Sequence, residues 1–536
     1  MSGAATQFDG ILSSNGNVFI VNPAGVYFGA NSSVNVNQLI ASSLDILNFD
    51  IENPDFLAGK YEFEAATGAT GGIINDSQDM YAAQGVALLG KYVTNNGAIT
   101  AGQGGFVVMA AADKVFLSTQ GGNIIVEMKS VTPEGTDDGK VINNGDITAR
   151  EGKVALASGD VTAPAETVAY GAGDIYTTAI DLPKVSGGIG TVQQNGTINA
   201  DGVNGDGGEI GFTANDSVTL GSGSDTTANA GIDGDAGLVV VHSKGQTTIQ
   251  NGATIETIGG HVPFNLEGEF DDIVDTTVEI TGEQVSLAGY IDASATDGRR
   301  GKIIVDGFDM TVADGYMPTN PLINTVYEKW IEAQSNVATD VELVAHSKEA
   351  GNITVEPLTD GVLFGGSGDI VMRTKYNTGG ITFEGTTPAS IHTDDGGNVY
   401  MLAGKGGITI GDVSTYLDQH DPGEPGKIRI STTDGDGGDI TTGSLSVEGG
   451  SNDEISVVAK GNLIVNGDIS TYAHQVDEEL GVYQARTCLV SDQGNVTVNG
   501  TISLYTQGKY GTTADLHIDA GHDIALNPGA RQITVE

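Results

Sequence analysis

Imidazoles and carboxylates fall together at two places in this 536-residue chain. In HTDDGG (392–397), His392 precedes Asp394 and Asp395. In HIDAGHD (517–523), His517 and Asp519 alternate ahead of His522 and Asp523. An inverting glycosidase needs two carboxylates flanking the scissile bond with room for water, and Asp394, Asp395 and His522 are the residues such chemistry would draw on. The two segments are far apart in the chain, however, and Asp-Asp-Gly-Gly is more simply a corner. His517 and Asp519 share a strand face, but there is no His-Glu-x-x-His and no cysteine cluster. The acidic loops DGVNGDGG (201–208), TDGDGGD (433–439) and GGSGDIV (365–371) miss the acid spacing of EF-hand and nonapeptide calcium sites. GKGG (404–407) reads as another corner. Cys488 has no activating neighbour that the sequence can name. No catalytic residue, metal site or cofactor is expected, beyond weak Ca²⁺ binding at the acidic loops.

The elements that carry these residues are set by an unusual composition. Glycine supplies 80 residues and proline 13, without a Gly-X-Y period. Seventy acids against 23 bases give a formal charge of −47, a field that repels nucleic acid and anionic lipid. One cysteine leaves no intramolecular disulfide, which is compatible with export through a bacterial envelope. No apolar run approaches the roughly 18 residues of a membrane span. The start, MSGAATQFDG, has no basic region and no apolar run, so it is not a signal peptide.

Self-similarity is pervasive. GNLIVNGDIS (461–470) returns as GNVTVNGTIS (494–503), and NNGAITAGQGG (95–105) as NNGDITAREGK (143–153). Short alternating strands follow a glycine in GKVAL, GKIIV, GNITV, GNVYM and GKIRI. Ile303 and Val305, Ile353 and Val355, and Ile428 and Ile430 then share one face, while Thr354 and Arg429 point away. Asn-Gly, Asp-Gly and Gly-Gly pairs between them are expected to supply positive φ at corners. Strands this short bury a core only when stacked coil on coil, so the chain is expected to be all-β, a parallel β-helix with coils of roughly 20–25 residues. One segment departs from the pattern. In NPLINTVYEKWIEAQS (320–335), Ile323, Val326, Tyr327, Trp330 and Ile331 fall at helical spacing with Pro321 suited to a first turn. It reads as a short helical or turn-rich excursion on the outside of the solenoid.

A stiff corner stands near the start. In NVFIVNPAGVYFG (17–29), Asn22, Pro23 and Gly25 suit positions i, i+1 and i+3 of a type I turn between two apolar runs. The stretch FDGILSSNGNVFIVNPAGVYFGANSSVNVNQLIASSLDI resembles the secretion module of filamentous haemagglutinin-type exoproteins of two-partner secretion systems. These share an Asn-Pro-Asn-Gly corner, a Phe-Gly pair and a strand ending in a Leu-Asp-Ile-like run. Here Ala24 replaces the second asparagine, and Phe28-Gly29 is the Phe-Gly pair. The likeness continues through NPDFLAGKYEF and the rungs AAQGVALLG, NNGAITAGQGGFVVMAA and NNGDITAREGKVALASGD to about residue 168. The resemblance implies a right-handed parallel β-helix with the module at 1–168 and a β-helical extension at 169–536. It also implies a leader and first coils upstream of this match. It further implies export through an outer-membrane β-barrel partner that reads the corner Asn22, Pro23, Gly25, Phe28 and Gly29. The expected product is a bacterial, extracellular or cell-surface, adhesin-like, non-enzymatic protein that meets a host, cell or glycan surface. The alternative is a structural subunit of an extracellular filament that self-associates end to end; the lesser one is a polysaccharide-active β-helix enzyme.

Overall fold

A computed structural model describes residues 3–50, 52–118, 125–129, 135–162, 184–185, 189–232, 234–260, 274–295, 300–348, 351–417, 426–433, 438–449, 452–474, 484–507, 513–526 and 533–535. The expected boundary at 168, residues 434–437 of the acidic loop 433–439, and most of the closing RQITVE lie outside the described residues. The chain forms two compact units, Met1–Arg299 and Arg300–Glu536. Each is a parallel β-helix.

In the first unit each coil passes through three strands, as in Val93–Asn95, Ala98–Ala101 and Phe106–Ala111. The next coil, Lys140–Asn143, Asp146–Thr148 and Lys153–Ser158, lies parallel to it strand for strand. Inward residues form columns: Val93 on Val141 on Val192, and Ile99 on Ile147 on Ile198, all essentially without exposure. Each such side chain contributes about 1.5–3 kcal/mol by leaving water.

The repeated Asn-Asn-Gly now has a physical meaning. The first residue of each triplet faces inward. Asn75 Nδ2 donates to Asn95 Oδ1, Asn95 to Asn143 and Asn143 to Gln194 Oε1, each at 2.7 Å and wholly buried. The second builds an outer ladder, Asn195 to Asn144 to Asn96 to Asp76, at 2.8–2.9 Å. The glycine is a close-approach position. A Cβ on Gly145 would collide with the Gly97 carbonyl, and one on Gly196 with that of Gly145. None of Gly97, Gly145 and Gly196 has positive φ, so the expectation of left-handed corners is corrected at these three sites. Stacking at the coil spacing excludes the side chain there.

A four-stranded antiparallel sheet (Ile125–Lys129, Lys114–Ser118, Lys60–Glu64, Asp45–Ile46) covers one wall of this unit. Beneath it the wall is apolar on both faces. Phe106–Ala111 is buried at every position, and Ile40, Ala87 and Val108 form an outward column that packs with Tyr61, Phe63, Val115 and Leu117. Strands buried on both faces read as continuous apolar runs rather than alternating ones.

The second unit has three parallel walls. One runs from Arg300–Gly307 to Thr513–Ala520, a second is nine-stranded, and a third of seven strands starts at Val362–Gly365. Ile303, Val305, Ile353, Val355, Ile428 and Ile430 are buried, and Thr354 and Arg429 are not, as the alternation requires. Tyr400 is an exception: it faces outward yet is buried, under Arg429 at 5.9 Å. From Val341 through Ile370 and Val399 to Ile428 the coils close every 29 residues, longer than expected, because corner loops add to the three strands. Asp340 Oδ1 accepts the Asp369 N–H, Asp369 the Asn398 N–H and Asn398 the Lys427 N–H, at 2.8, 2.9 and 2.6 Å and 29 residues apart each time.

The excursion at 320–335 is helical only in its second half. Thr325–Tyr327 is a strand, and α2 (Glu328–Ser335) follows with Tyr327 as N-cap, so Pro321 opens no helix. Ile323 is 43% exposed, whereas Ile331 is buried together with Glu328, Glu332, Gln334 and Ser335. That polar face is turned inward for a reason. Glu332 accepts the Phe364 N–H at 3.0 Å and Ser335 Oγ the Gly366 N–H at 3.0 Å, while Ser335 Oγ donates to the Gly368 carbonyl at 2.6 Å. Thus α2 covers the first edge of the seven-stranded wall, where strand N–H groups would otherwise stand unpaired.

Candidate functional site

The Asn22–Gly25 corner is a hydrogen-bonded turn in which Asn22 makes most of the connections. The Gly25 N–H reaches the Asn22 carbonyl at 2.8 Å, and the Ala24 N–H reaches Asn22 Oδ1 at 3.0 Å. Ala24 does not have positive φ, which fits type I rather than type II. Asn22 Nδ2 donates to the Ala4 carbonyl at 3.1 Å and to Thr6 Oγ1 at 2.9 Å, while its N–H continues the ladder to the Ser42 carbonyl at 2.9 Å. One side chain therefore clamps the preceding coil and shapes its own turn. Gly25 sits at φ 107°, and a Cβ there would lie 3.0 Å from the Gly72 carbonyl, so both backbone angle and space demand glycine. A Cβ on Gly71, in the next coil, would run into Pro23 and Ala24.

Of the five residues expected at this site, Asn22 and Pro23 are half-buried and reachable from outside. Gly25, Phe28 and Gly29 are buried. Phe28 is a core residue, edge-on to Phe8 at 5.9 Å. Gly29 leaves room for the Asp9 carboxylate, whose Oδ1 a Cβ would meet at 2.5 Å and which holds the Asn31 N–H at 3.2 Å. The Phe-Gly pair thus builds the corner, and only the Asn-Pro-Ala part presents it.

The chemical candidates take other places. His392 is held on the outer face of the seven-stranded wall. Its Nδ1 lies 2.6 Å from Ser414 Oγ, its Nε2 lies 2.8 Å from Asp394 Oδ1, and its ring is edge-on to Phe364 at 5.5 Å. Asp394 is thereby partnered, and Asp395 occupies a left-handed corner at φ 54°. They are two corner residues with separate structural duties. His517 and Asp519 do share an exposed strand face, with His522 and Asp523 exposed beyond it. Among the described residues no group of three or more His, Cys, Asp or Glu is placed to hold a metal ion. In the loop 201–208, Asp201 accepts the Asn229 N–H at 2.8 Å and Asp206 the Asp235 N–H at 3.0 Å, which is turn stitching between coils. Burial pushes the Cys488 thiol up, with Glu454 and Asp515 adding to the effect, so it is a poor nucleophile.

Two groups of residues escape a reading by strand period. The first is a ring cluster over the corner strand: Phe19 meets Tyr61 at 5.2 Å, Phe56 at 5.6 Å and Phe49 at 6.3 Å, and Phe49 meets Phe56 at 5.1 Å. The second is a charged patch in the other unit. Glu342 is buried between Lys302 and Arg373, and Arg300 pairs with Asp369 beside Asp340. Burial, and then the Asp369 charge, push the Asp340 carboxyl up to about 7. Its signal in the sequence is the 29-residue spacing of Asp340, Asp369 and Asn398, each next to an apolar strand.

Comparison with known proteins places the corner in a family. Residues 1–211 match the family described as TPS secretion domain. That match runs beyond residue 168, where the likeness read from the sequence ends. No curated protein matches the chain. Among solved structures it is similar to the secretion domain of HMW1 from Haemophilus influenzae, at 21% identity and a TM-score of 0.37, over 59% of this chain and 79% of that one. A TPS domain marks a protein that leaves the cell by two-partner secretion, through an outer-membrane β-barrel transporter, to the cell surface or beyond. No described helix is long and apolar enough to cross a membrane. Residues 1–211 of this chain are a TPS secretion domain, the export module of a two-partner secretion exoprotein.

Proposed function

We propose that this exoprotein is an adhesin-like surface protein without enzymatic activity, whose corner Asn22–Gly25 belongs to the surface read by the transporter and whose second unit meets the target. The observation that carries the second part is the outer face of that unit. Thr354, Thr382, Thr409 and Thr441 stand in one register column, and Ser414, Ser446, Ser470 and Ser503 in another. Parallel strands about 4.8 Å apart repeat these hydroxyls at a fixed spacing over several coils. Each hydroxyl both donates and accepts, which suits the hydroxyl-rich surface of a glycan coat. The backbone beneath is fully laddered, so binding would cost little ordering entropy.

The test is saturable binding of purified chain to cells and to immobilised glycans. The variant Thr382→Lys/Thr409→Lys interrupts one column without entering the core, and is expected to weaken binding at least about tenfold. Equal binding by the variant, or none by the parent chain, would remove the adhesive reading.

A further inference from the structure

The first unit exposes an apolar patch on its flank sheet that its own fold does not use. Leu47, Phe49 and Leu57 are 56, 59 and 69% exposed; Phe49 meets the half-buried Phe19 at 6.3 Å and Phe56 at 5.1 Å, Leu47 lies two residues before Phe49 and Leu57 follows Phe56. The patch is built rather than loose. The Leu47 N–H reaches the Glu62 carbonyl at 2.8 Å, and Asn48 spans the ladder, donating to the Lys60 carbonyl at 2.9 Å and accepting the Glu62 N–H at 3.1 Å. Asn53 caps α1 (Pro54–Leu57) by accepting the Asp55 N–H at 2.9 Å. Phe19 lies on the strand Asn17–Val21 that runs directly into the corner, so patch and corner are neighbours along one strand.

The rim of the patch is acidic. Asp45, Asp50, Glu52, Asp55 and Glu62 are exposed around it; Lys60 is already paired with Asp55 at 3.3 Å, and at the sheet's far end Lys114 is paired with Glu64 at 2.7 Å, with Lys129 beside it. A second copy docking face to face would bring these same acids against one another. An apolar surface framed mainly by acids, with Lys60 and Lys114 already paired, fits a partner with an apolar groove framed by lysine and arginine.

We propose that the Leu47–Phe49–Leu57 patch is the docking surface for the periplasmic face of the outer-membrane transporter, which meets it with an apolar groove rimmed by basic residues. The inference rests on the reading of residues 1–211 as the export module, and it locates a contact beside the corner.

The experiment measures the affinity of the full chain for its transporter, purified in detergent, by surface plasmon resonance. Three variants are compared with the parent: Leu47→Ser/Phe49→Ser/Leu57→Ser, Leu57→Lys and Leu57→Asp. All positions are surface ones, and circular dichroism with thermal unfolding verifies that each variant is folded. The triple variant is expected to bind at least about tenfold more weakly, the scale of losing a buried anchor. Leu57→Lys should lose more than Leu57→Asp, and binding by the parent should weaken as salt rises. Unchanged affinity in the triple variant, with the parent binding, overturns the patch but leaves the export reading standing. A parent chain that does not bind the transporter overturns both. A triple variant that keeps its affinity but changes from dimer to monomer in sedimentation assigns the patch to a second copy, and also overturns the proposal.

Discussion

Replacing Asn95 with alanine removes the middle of the inner ladder and leaves two strangers where there were partners. Asn75 loses the acceptor of a 2.7 Å bond, and Asn143 loses the donor of another, in a place without exposure. Each buried polar group left unsatisfied costs about 1–3 kcal/mol, and the truncated side chain adds a small cavity. The sum is roughly 3–5 kcal/mol, concentrated in the coils that hold residues 75, 95 and 143. Asn96→Ala is the control. It cuts the outer ladder, where Asn96 bonds Asp76 at 2.8 Å and Asn144 at 2.9 Å in water, and should cost well under about 1 kcal/mol. A solenoid opens locally, so a single global midpoint would dilute the effect. Hydrogen exchange followed by mass spectrometry reads it directly. Peptides covering 73–75, 93–95 and 140–143 should lose protection by about 100-fold or more in Asn95→Ala, at about 1.4 kcal/mol per decade. Loss no greater than in Asn96→Ala would refute the claim that the buried amide column stabilises these coils.

Gly145→Ala drives a Cβ into the Gly97 carbonyl and should destabilise the same coils by about 1–3 kcal/mol, although glycine to alanine usually stabilises where φ permits; the same exchange peptides check it. The Asp340 carboxyl, pushed up by burial and by Asp369 to about 7, gives a pH signature. Between its ordinary 3.8 and about 7 the folded state keeps a proton that the unfolded chain has released. The second unit is therefore expected to lose stability as pH rises through that window, by at most roughly 4 kcal/mol, and to level off above it. Asp340→Asn keeps an acceptor for the Asp369 N–H and should flatten this slope. Fluorescence of Trp330, the single tryptophan and a resident of the same unit, follows unfolding across pH; an equal slope in both proteins would contradict the assignment.

Much of the solenoid could be read from alternation, because a parallel coil needs little beyond inward Ile and Val and permissive corners. The turn at Asn22–Gly25 was legible for the same local reason: proline at i+1 and asparagine at i leave few other conformations. Position-specific purposes were harder to see. Asn-Asn-Gly reads as a corner with positive φ, but its three residues serve an inner ladder, an outer ladder and a close approach, which only the stacking of coils distinguishes. The segment 320–335 carried a helical period across its whole length. Pairing with the neighbouring strand Met310–Ala313 claimed Thr325–Tyr327, and α2 began only where a wall edge needed covering. The flank sheet does have a signal in the sequence, the unbroken apolar runs GVALLG and FVVMAA, which alternate nowhere because both faces are covered. The charged patch at Asp340, Asp369 and Glu342 has no local signature, since its pairs join residues from different coils, Arg300 with Asp369 and Glu342 with Lys302 and Arg373.

The central claim is that residues 1–211 export this chain through a dedicated outer-membrane partner. The most direct measurement supplies the chain with a cleavable leader in a bacterial host, with and without its transporter, and quantifies protein at the surface and in the medium. Appearance outside the cell is expected only with the transporter, and is expected to fall when Asn22 and Pro23 are both replaced by alanine. Equal export in cells that lack the transporter would contradict the account.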